Sequence, residues 1–299
     1  GRGAMMADLI TGSPDFAGVH FTGSTEVFKS LWQTTAQRLD TYKGFPRIVG
    51  ETGGKNFHLL HASCDVNAAV NQTVRGAFEF QGQKCSATSR MYCPQSIWPE
   101  FKRQLLEVIG TIKVGDPDDP KAYMCAVIDR PSFDKTKGYL DWAKAADSAE
   151  IIAGGGCDDS TGYFVEPTVI VSSDPKGRTM AEEIFAPVLS VFVYDDAKWD
   201  ETLELVDTTS PYALTGSIFA KDRVAIEQAL KALRHAAGNV YVNNKSTGAV
   251  VGEQPFGGAR ASGTDDKAGA KNNLYRWVAP RCIMETFGNL RTHGYPHME

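Results

Sequence analysis

Between Arg47 and Pro94 the chain alternates strand-like and helix-like patterns in an order that few folds accommodate. RIVG at 47–50 and NFHLLH at 56–61 are short apolar runs suited to buried strands, with Gly53 and Gly54 punctuating the turn between them. Asp65 then precedes DVNAAVNQTVRGAFEFQ, where Val66, Ala69, Val70, Val74, Ala77 and Phe78 recur at helical spacing, so an Asp-capped helix is predicted. A loop of small residues, GQKCSATS, delivers Cys85, and a third strand, ATSRMYCP, follows. Apolar strands joined through helices bury both faces of a sheet, which predicts an α/β fold with a mainly parallel sheet.

The same alternation continues to residue 244. Upstream, FAGVHF reads as a strand that runs through Thr22-Gly23-Ser24 into the helix TEVFKSLWQTTAQRLD, capped by Ser24 or Thr25. Downstream, Ser96 is expected to cap IWPEFKRQLLEVIGTI, whose Pro99 suits a first turn, and Ser132 to open a helix to about Ala146. AEIIAGG, two short runs broken at Pro167, VLSVFVY, LTGSIFA and GNVYVNN read as strands, with helices at Lys198–Val206 and Arg223–Arg234. Gly154 to Gly156 lack the helix and the Lys-Ser/Thr pair that a phosphate-cradling loop would place after them, so they read as a surface turn.

Composition excludes several function classes. The 299 residues are 42% hydrophobic and 22% charged, with a net charge of −5 and no basic stripe of the kind that tracks nucleic acid. No apolar run approaches the roughly 20 residues of a membrane helix. The cysteines at 64, 85, 93, 125, 157 and 282 show no regular spacing, which points to free thiols rather than a disulfide frame or a zinc site. The opening GRGAMMADLIT has no sustained apolar stretch and is not a secretory signal, and the polar tail after Phe287 is expected to be peripheral.

Cys85 sits among Gly82, Gln83, Ser86 and Ala87, the setting of an accessible loop thiol, and the adjacent Lys84 would favour its thiolate. Glu51 lies in a Gly-rich turn, where a carboxylate can activate water to release an acyl group from such a sulfur. The helix that starts near Ser24 offers free N–H groups to a phosphate, although G-x-G-x-x-G is absent. On bare sequence each residue also has an ordinary structural reading: a buried thiol, a turn carboxylate, a plain strand-to-helix turn.

The surrounding words resolve the choice. GETGGKNF (50–57) resembles the glutamate signature of the aldehyde dehydrogenase superfamily, and FEFQGQKCSA (78–87) its cysteine signature. FTGST, EEIFAPV and PFGGARASG occur in the same family order. Within the family, KNFHLLH, KVGDP, CDDSTGYFVEPT and KSTGAVVGEQPFGGARASGT resemble the branch that oxidises glutamate γ-semialdehyde to glutamate in proline breakdown. The resemblance implies an aldehyde dehydrogenase-like fold: residues 1–52 as the end of a Rossmann-like NAD-binding domain, 53–255 as the catalytic domain, and 256–299 as a segment with substrate-loop and oligomerisation roles.

It further implies Cys85 as nucleophile and Glu51 as base, NAD as cofactor, and no metal. Gly23, Ser24, Thr25, Glu26 and Val27 would contact NAD, Glu183 would hold the nicotinamide ribose, and Phe185 would pack near the ring. Gly248 and Ala249 would anchor the substrate carboxylate, with the Ser86 hydroxyl donating and Phe256 against the aliphatic stem. Two positions depart from the pattern: Ala186 stands where the family more often has Gly, and Ala249 where related sequences can carry Ser. The Cys85 backbone N–H would be one oxyanion donor, the other being an asparagine that the family encodes upstream. The chain is accordingly read as a C-terminal portion of a longer protein, or as a truncated gene product, pairing as a homodimer or higher oligomer in the mitochondrial matrix. Two other readings stay open, an aldehyde dehydrogenase for a different aldehyde and a non-catalytic structural or partner-binding piece.

Overall fold

The computed structural model describes residues 3–298. Helix α1 (Gly3–Thr11) precedes β1 (Gly18–Thr22), α2 (Thr25–Gln37) and β2 (Arg47–Glu51). Then come β3 (Asn56–Leu60), α3 (Val66–Phe78), β4 (Thr88–Pro94), α4 (Trp98–Ile109) and α5 (Arg130–Ala145). Strands β5 (Ala149–Ala153), β6 (Cys157–Asp158), β7 (Phe164–Val165) and β8 (Thr168–Ser172) lead to α6 (Arg178–Ala181) and β9 (Val188–Tyr194). The chain continues through α7 (Trp199–Thr208), β10 (Tyr212–Ala213), β11 (Thr215–Phe219), α8 (Arg223–Ala232), β12 (Asn239–Val242), β13 (Ala259–Arg260) and α9 (Lys271–Tyr275).

Seven strands form the central sheet in the order β12-β11-β3-β4-β9-β8-β5. Every neighbouring pair is parallel except β5 with β8, which is antiparallel at one edge. The near-continuous apolar strands follow from this burial, since β3 and β11 have no exposed residue. Residues of α3 and α4 such as Val70, Phe78, Phe101 and Leu105 pack with Met91 and Leu189 in one core cluster. Leu203, Val206 and Ala229 from α7 and α8 pack with Phe57, Tyr92 and Ile218 in another. Strands β1 and β2 form a separate parallel pair, with Thr22 beside Glu51 in register.

The sequence misplaced two caps and left out three helices, α1, α6 and α9. Ser96 does not cap α4; its backbone N–H and hydroxyl both bind the Asp196 carboxylate, a partner 100 residues away. Helix α5 starts two residues before Ser132 and is capped by Asp129, which accepts the Ser132 N–H at 2.9 Å. Helix α1 forms inside the opening stretch, where Arg38 bonds its last turn at Asp8 and Thr11. By contrast, Ser24 and Asp65 cap α2 and α3 through Val27 N–H and Ala68 N–H as expected. Gly154 to Gly156 form a turn whose amides are taken by Thr168 and Glu166.

Candidate active site

The parallel pairing of β1 with β2 sets the first wall of the site. It places Glu51, the last residue of β2, beside the β1–α2 turn, where the Gly23 amide donates to the Glu51 carbonyl at 3.2 Å. The late segment 256–264 closes on the same strand end: the Thr52 amide donates to the Ser262 carbonyl at 2.9 Å and the Thr264 amide to the Gly50 carbonyl at 2.9 Å. Main-chain bonds therefore fix the Glu51 backbone on both sides.

Cys85 arrives on the loop between α3 and β4. That loop begins with Phe80, Gln81 and Gly82 in succession at φ of 53°, 60° and 62°. Left-handed backbone costs a non-glycine residue roughly 1–2 kcal/mol, so this turn needs outside support. Gln81 supplies part of it by donating to the Ala126 carbonyl at 3.2 Å and accepting from the Cys125 amide at 3.0 Å. At Gly82 a Cβ would stand 2.4 Å from the Ala186 carbonyl oxygen, so no larger residue fits.

The two walls meet at Gly54. A Cβ there would lie 2.3 Å from the Cys85 carbonyl oxygen, so the absent side chain lets the turn after Glu51 lie against the cysteine loop. Asn56 completes the join, its amide donating to the carbonyls of Cys85 and Ala87 at 2.8 Å each. Glu183 joins as well, accepting the Gly54 amide at 2.9 Å.

These elements enclose a cavity of about 930 Å³ lined by Glu51, Cys85, Gly23, Ser24, Ser86, Glu183, Phe185, Gly248, Ala249 and Phe256 among others. Ten of the thirteen residues singled out in the sequence thus share one space. Thr25, Glu26 and Val27 do not line it. The Thr25 hydroxyl turns inward to the Ala261 carbonyl, Glu26 pairs in solvent with Lys29, and Val27 is exposed on the first turn of α2. Ser86 does line it, with its hydroxyl 2.7 Å from that of Thr247. Gly248 adopts φ 95° in the loop that β12 leads into. Gln83, Thr247 and Gln254 also line the cavity from the same loops that carry Cys85 and Gly248, whereas Lys135 reaches it from α5 and carries no local signal.

Burial governs the ionisation of both central groups. It pushes the Glu51 carboxyl up to about 8; the Gly258 amide opposes this, the Asp265 charge adds to it, and Lys267 opposes it. One Glu51 oxygen, Oε1, is buried without a hydrogen-bond partner. Burial likewise pushes the Cys85 thiol up to about 11, helped by the charges of Glu51 and Glu183. The expectation that Lys84 favours a thiolate is overturned: the Lys84 ammonium is committed to Glu79 at 2.8 Å, and the thiol rests neutral. A neutral thiol beside a carboxyl that ionises just above neutrality is an acid–base pair that can exchange a proton during nucleophilic attack.

Comparison with known proteins shows the family of the chain. The family model described as "Aldehyde dehydrogenase family" matches residues 1–282. The chain is 55% identical over 300 residues to a mitochondrial Delta-1-pyrroline-5-carboxylate dehydrogenase of Dictyostelium discoideum, covering 100% of this chain and 54% of that protein. It is 52% identical over 298 residues to the human mitochondrial enzyme of the same name, covering 99% and 53%. A crystal structure of the Delta-pyrroline-5-carboxylate dehydrogenase from Mycobacterium tuberculosis bound with NAD superposes with a TM-score of 0.92 at 47% identity, over 100% of this chain and 55% of that one. The chain spans about half the length of the curated relatives it matches.

Proposed function

The chain belongs to the aldehyde dehydrogenase family, and on that footing we propose that it carries the catalytic half of an NAD-dependent L-glutamate γ-semialdehyde dehydrogenase. The observation that carries this reading is the single cavity shared by the Cys85 thiol and the Glu51 carboxyl. The names of the relatives support the substrate, since Δ1-pyrroline-5-carboxylate is the cyclic form of that semialdehyde.

In this reading Cys85 Sγ adds to the aldehyde carbon, giving up its proton as the C–S bond forms. The carbonyl oxygen becomes a tetrahedral oxyanion beside the Cys85 backbone N–H, the kind of donor whose loss costs about 3 kcal/mol in acyl-transfer enzymes. NAD, when bound, supplies the two-electron acceptor that takes the adduct to a thioester. Glu51 then removes a proton from water; the hydroxide forms the new C–O bond, the C–S bond breaks, and the products are a carboxylate and the free thiol.

The residues present fit the reactive end of such a cofactor. The cavity wall includes the Gly23–Ser24 turn at the α2 N-terminus, the Glu183 carboxylate and the Phe185 ring, which is 39% exposed. Glu183 would accept from ribose hydroxyls, and Phe185 would pack against the nicotinamide. At the opposite end the Gly248–Ala249 amides and the Ser86 hydroxyl would take the substrate α-carboxylate, with Phe256 along the stem.

The proposal extends to organisation. Residues 1–52 close the cofactor domain, 53–255 form the catalytic domain, and 256–299 carry the substrate loop and the oligomer contact of a homodimer or larger assembly in the mitochondrial matrix. The test uses the full-length enzyme with NAD and compares glutamate γ-semialdehyde with unsubstituted aldehydes of similar length. A kcat/KM at least tenfold higher for the amino-acid aldehyde is expected; equal values would leave an aldehyde dehydrogenase of another specificity.

A further inference from the structure

Helix α3 ends at Phe78, and Glu79 follows as its cap, donating its amide to the Arg75 carbonyl. The left-handed turn at 80–82 then reverses the chain, so that Lys84 comes back over the same spot. Its ammonium lies 2.8 Å from Glu79 Oε1 and 4.5 Å above the Phe80 ring. A second ammonium reaches the same oxygen from the other side of the sequence: Lys245 Nζ, 166 residues away, stands 2.6 Å from Glu79 Oε1. The three side chains are only 17–27% exposed. Lys245 opens the KSTGAVV loop, its amide pairs with Gln72 of α3, and its Cε and Nζ lie 3.5 Å from where a Cβ on Gly248 would be.

We infer that Glu79 clips the cysteine loop to the Gly248 loop through Lys84 on one side and Lys245 on the other, and so acts as a positioning residue for Cys85. Nearer the cavity the same loops are joined by neutral bonds, Ser86 to Thr247 at 2.7 Å and the Ser246 hydroxyl to the Ser86 carbonyl at 3.0 Å. Those bonds orient the ends of the loops, while Glu79, next to the left-handed turn that leads into Cys85, ties that turn to the Gly248 loop through Lys245. Ionised hydrogen bonds are about twice as strong as neutral ones, and partial burial limits their screening by salt. One carboxylate between two lysines also makes the tie cooperative: losing either ammonium leaves the carboxylate to swing with the other. The positions of the thiol and of the loop read as the substrate anchor are thereby set together.

This inference rests on the reading of Cys85 as the nucleophile, and its test needs no turnover. Cys85 alkylation by iodoacetamide is followed by peptide-resolved mass spectrometry, with Cys157 as internal reference. If the clip holds the loop, Glu79→Gln and Lys245→Met each loosen it and expose the thiol. Both then accelerate Cys85 alkylation at least threefold, the double variant is no faster than the faster single, and Lys245→Arg retains the parent rate. Charge alone would move the two variants in opposite directions, because one removes a negative and the other a positive neighbour. Opposite directions, unchanged rates or additive effects overturn the clip. Failure of the full-length enzyme to oxidise the semialdehyde would instead fall on the proposed function and leave this result standing.

Discussion

The two walls of the cavity are built from different material. The Glu51 wall is held by main chain: β1 on one side, the 262–264 segment on the other, with backbone bonds at Gly23, Thr52 and Thr264. The Cys85 wall is held by side chains, namely Asn56, Gln81, Ser86, Thr247 and the Glu79–Lys84 pair. The position of the carboxylate is therefore insensitive to most substitutions around it, and its charge is set first by burial, with the Gly258 amide, Asp265 and Lys267 modulating it. The position of the sulfur depends on replaceable groups. Substitutions on one wall should act through ionisation, and on the other through geometry.

The largest effects test which groups react. In the full-length enzyme Cys85→Ala should abolish turnover, whereas Cys64→Ala, at a buried thiol in the core, should leave it nearly unchanged. Steady-state kinetics decides, and normal turnover by Cys85→Ala would remove the nucleophile assignment. Glu51→Gln should slow acyl release by about 10²–10⁴-fold, the usual worth of a general base, while the first thioester still forms. A burst without steady turnover is the signature. The absence of any defect would show that the carboxylate wall serves structure alone.

Next comes the joint. Gly54→Ala inserts a Cβ where the Cys85 carbonyl now sits and should move the thiol relative to Glu51, lowering kcat by on the order of 10²-fold with a folded enzyme. Parent activity in that variant would show that the walls are independent. Glu183→Gln should raise the KM for NAD by about tenfold while kcat changes less, the expected loss of one charge-assisted bond.

The smallest effect separates charge from geometry through pH. Folding raises the Glu51 carboxyl from its ordinary 4.5 to about 8, so between those values the folded chain holds a proton that the unfolded chain has released. Its contribution is fully favourable below about 4.5 and is lost as pH rises through about 8. Glu51→Gln should therefore have a higher melting temperature than the parent by a few degrees at pH 8, with the gap closing near pH 4.5. A constant gap across that range would contradict burial as the cause of the raised carboxyl.

Much of this comparison was visible in the residues. Capping by Ser24 and Asp65 is local, as is the punctuation at Gly53 and Gly54, so both the α2 entry and the turn after Glu51 could be read in advance. Apolar strand runs joined by helices gave the parallel sheet. What escaped depends on distant partners. Ser96 looks like a helix cap until Asp196 comes into reach, and Lys84 looks like an activator of its neighbour until Glu79 claims it. Lys135 reaches the cavity from α5, far along the chain from Cys85, and no local pattern marks it. The N-terminal turn of α2 was legible as a helix start, yet only Gly23 and Ser24 line the cavity, because the helix axis carries the next three residues away from it.

The most direct test of a shared cavity is the alkylation rate of Cys85 in the parent and in Glu51→Gln, measured at about pH 6 and about pH 9 on either side of the Glu51 transition. At the higher pH the parent carries a carboxylate facing the sulfur, and the glutamine variant should react several-fold faster; at the lower pH the two should match. Equal rates at both would mean that Glu51 and Cys85 do not face each other, and the paired chemistry would fall with that result.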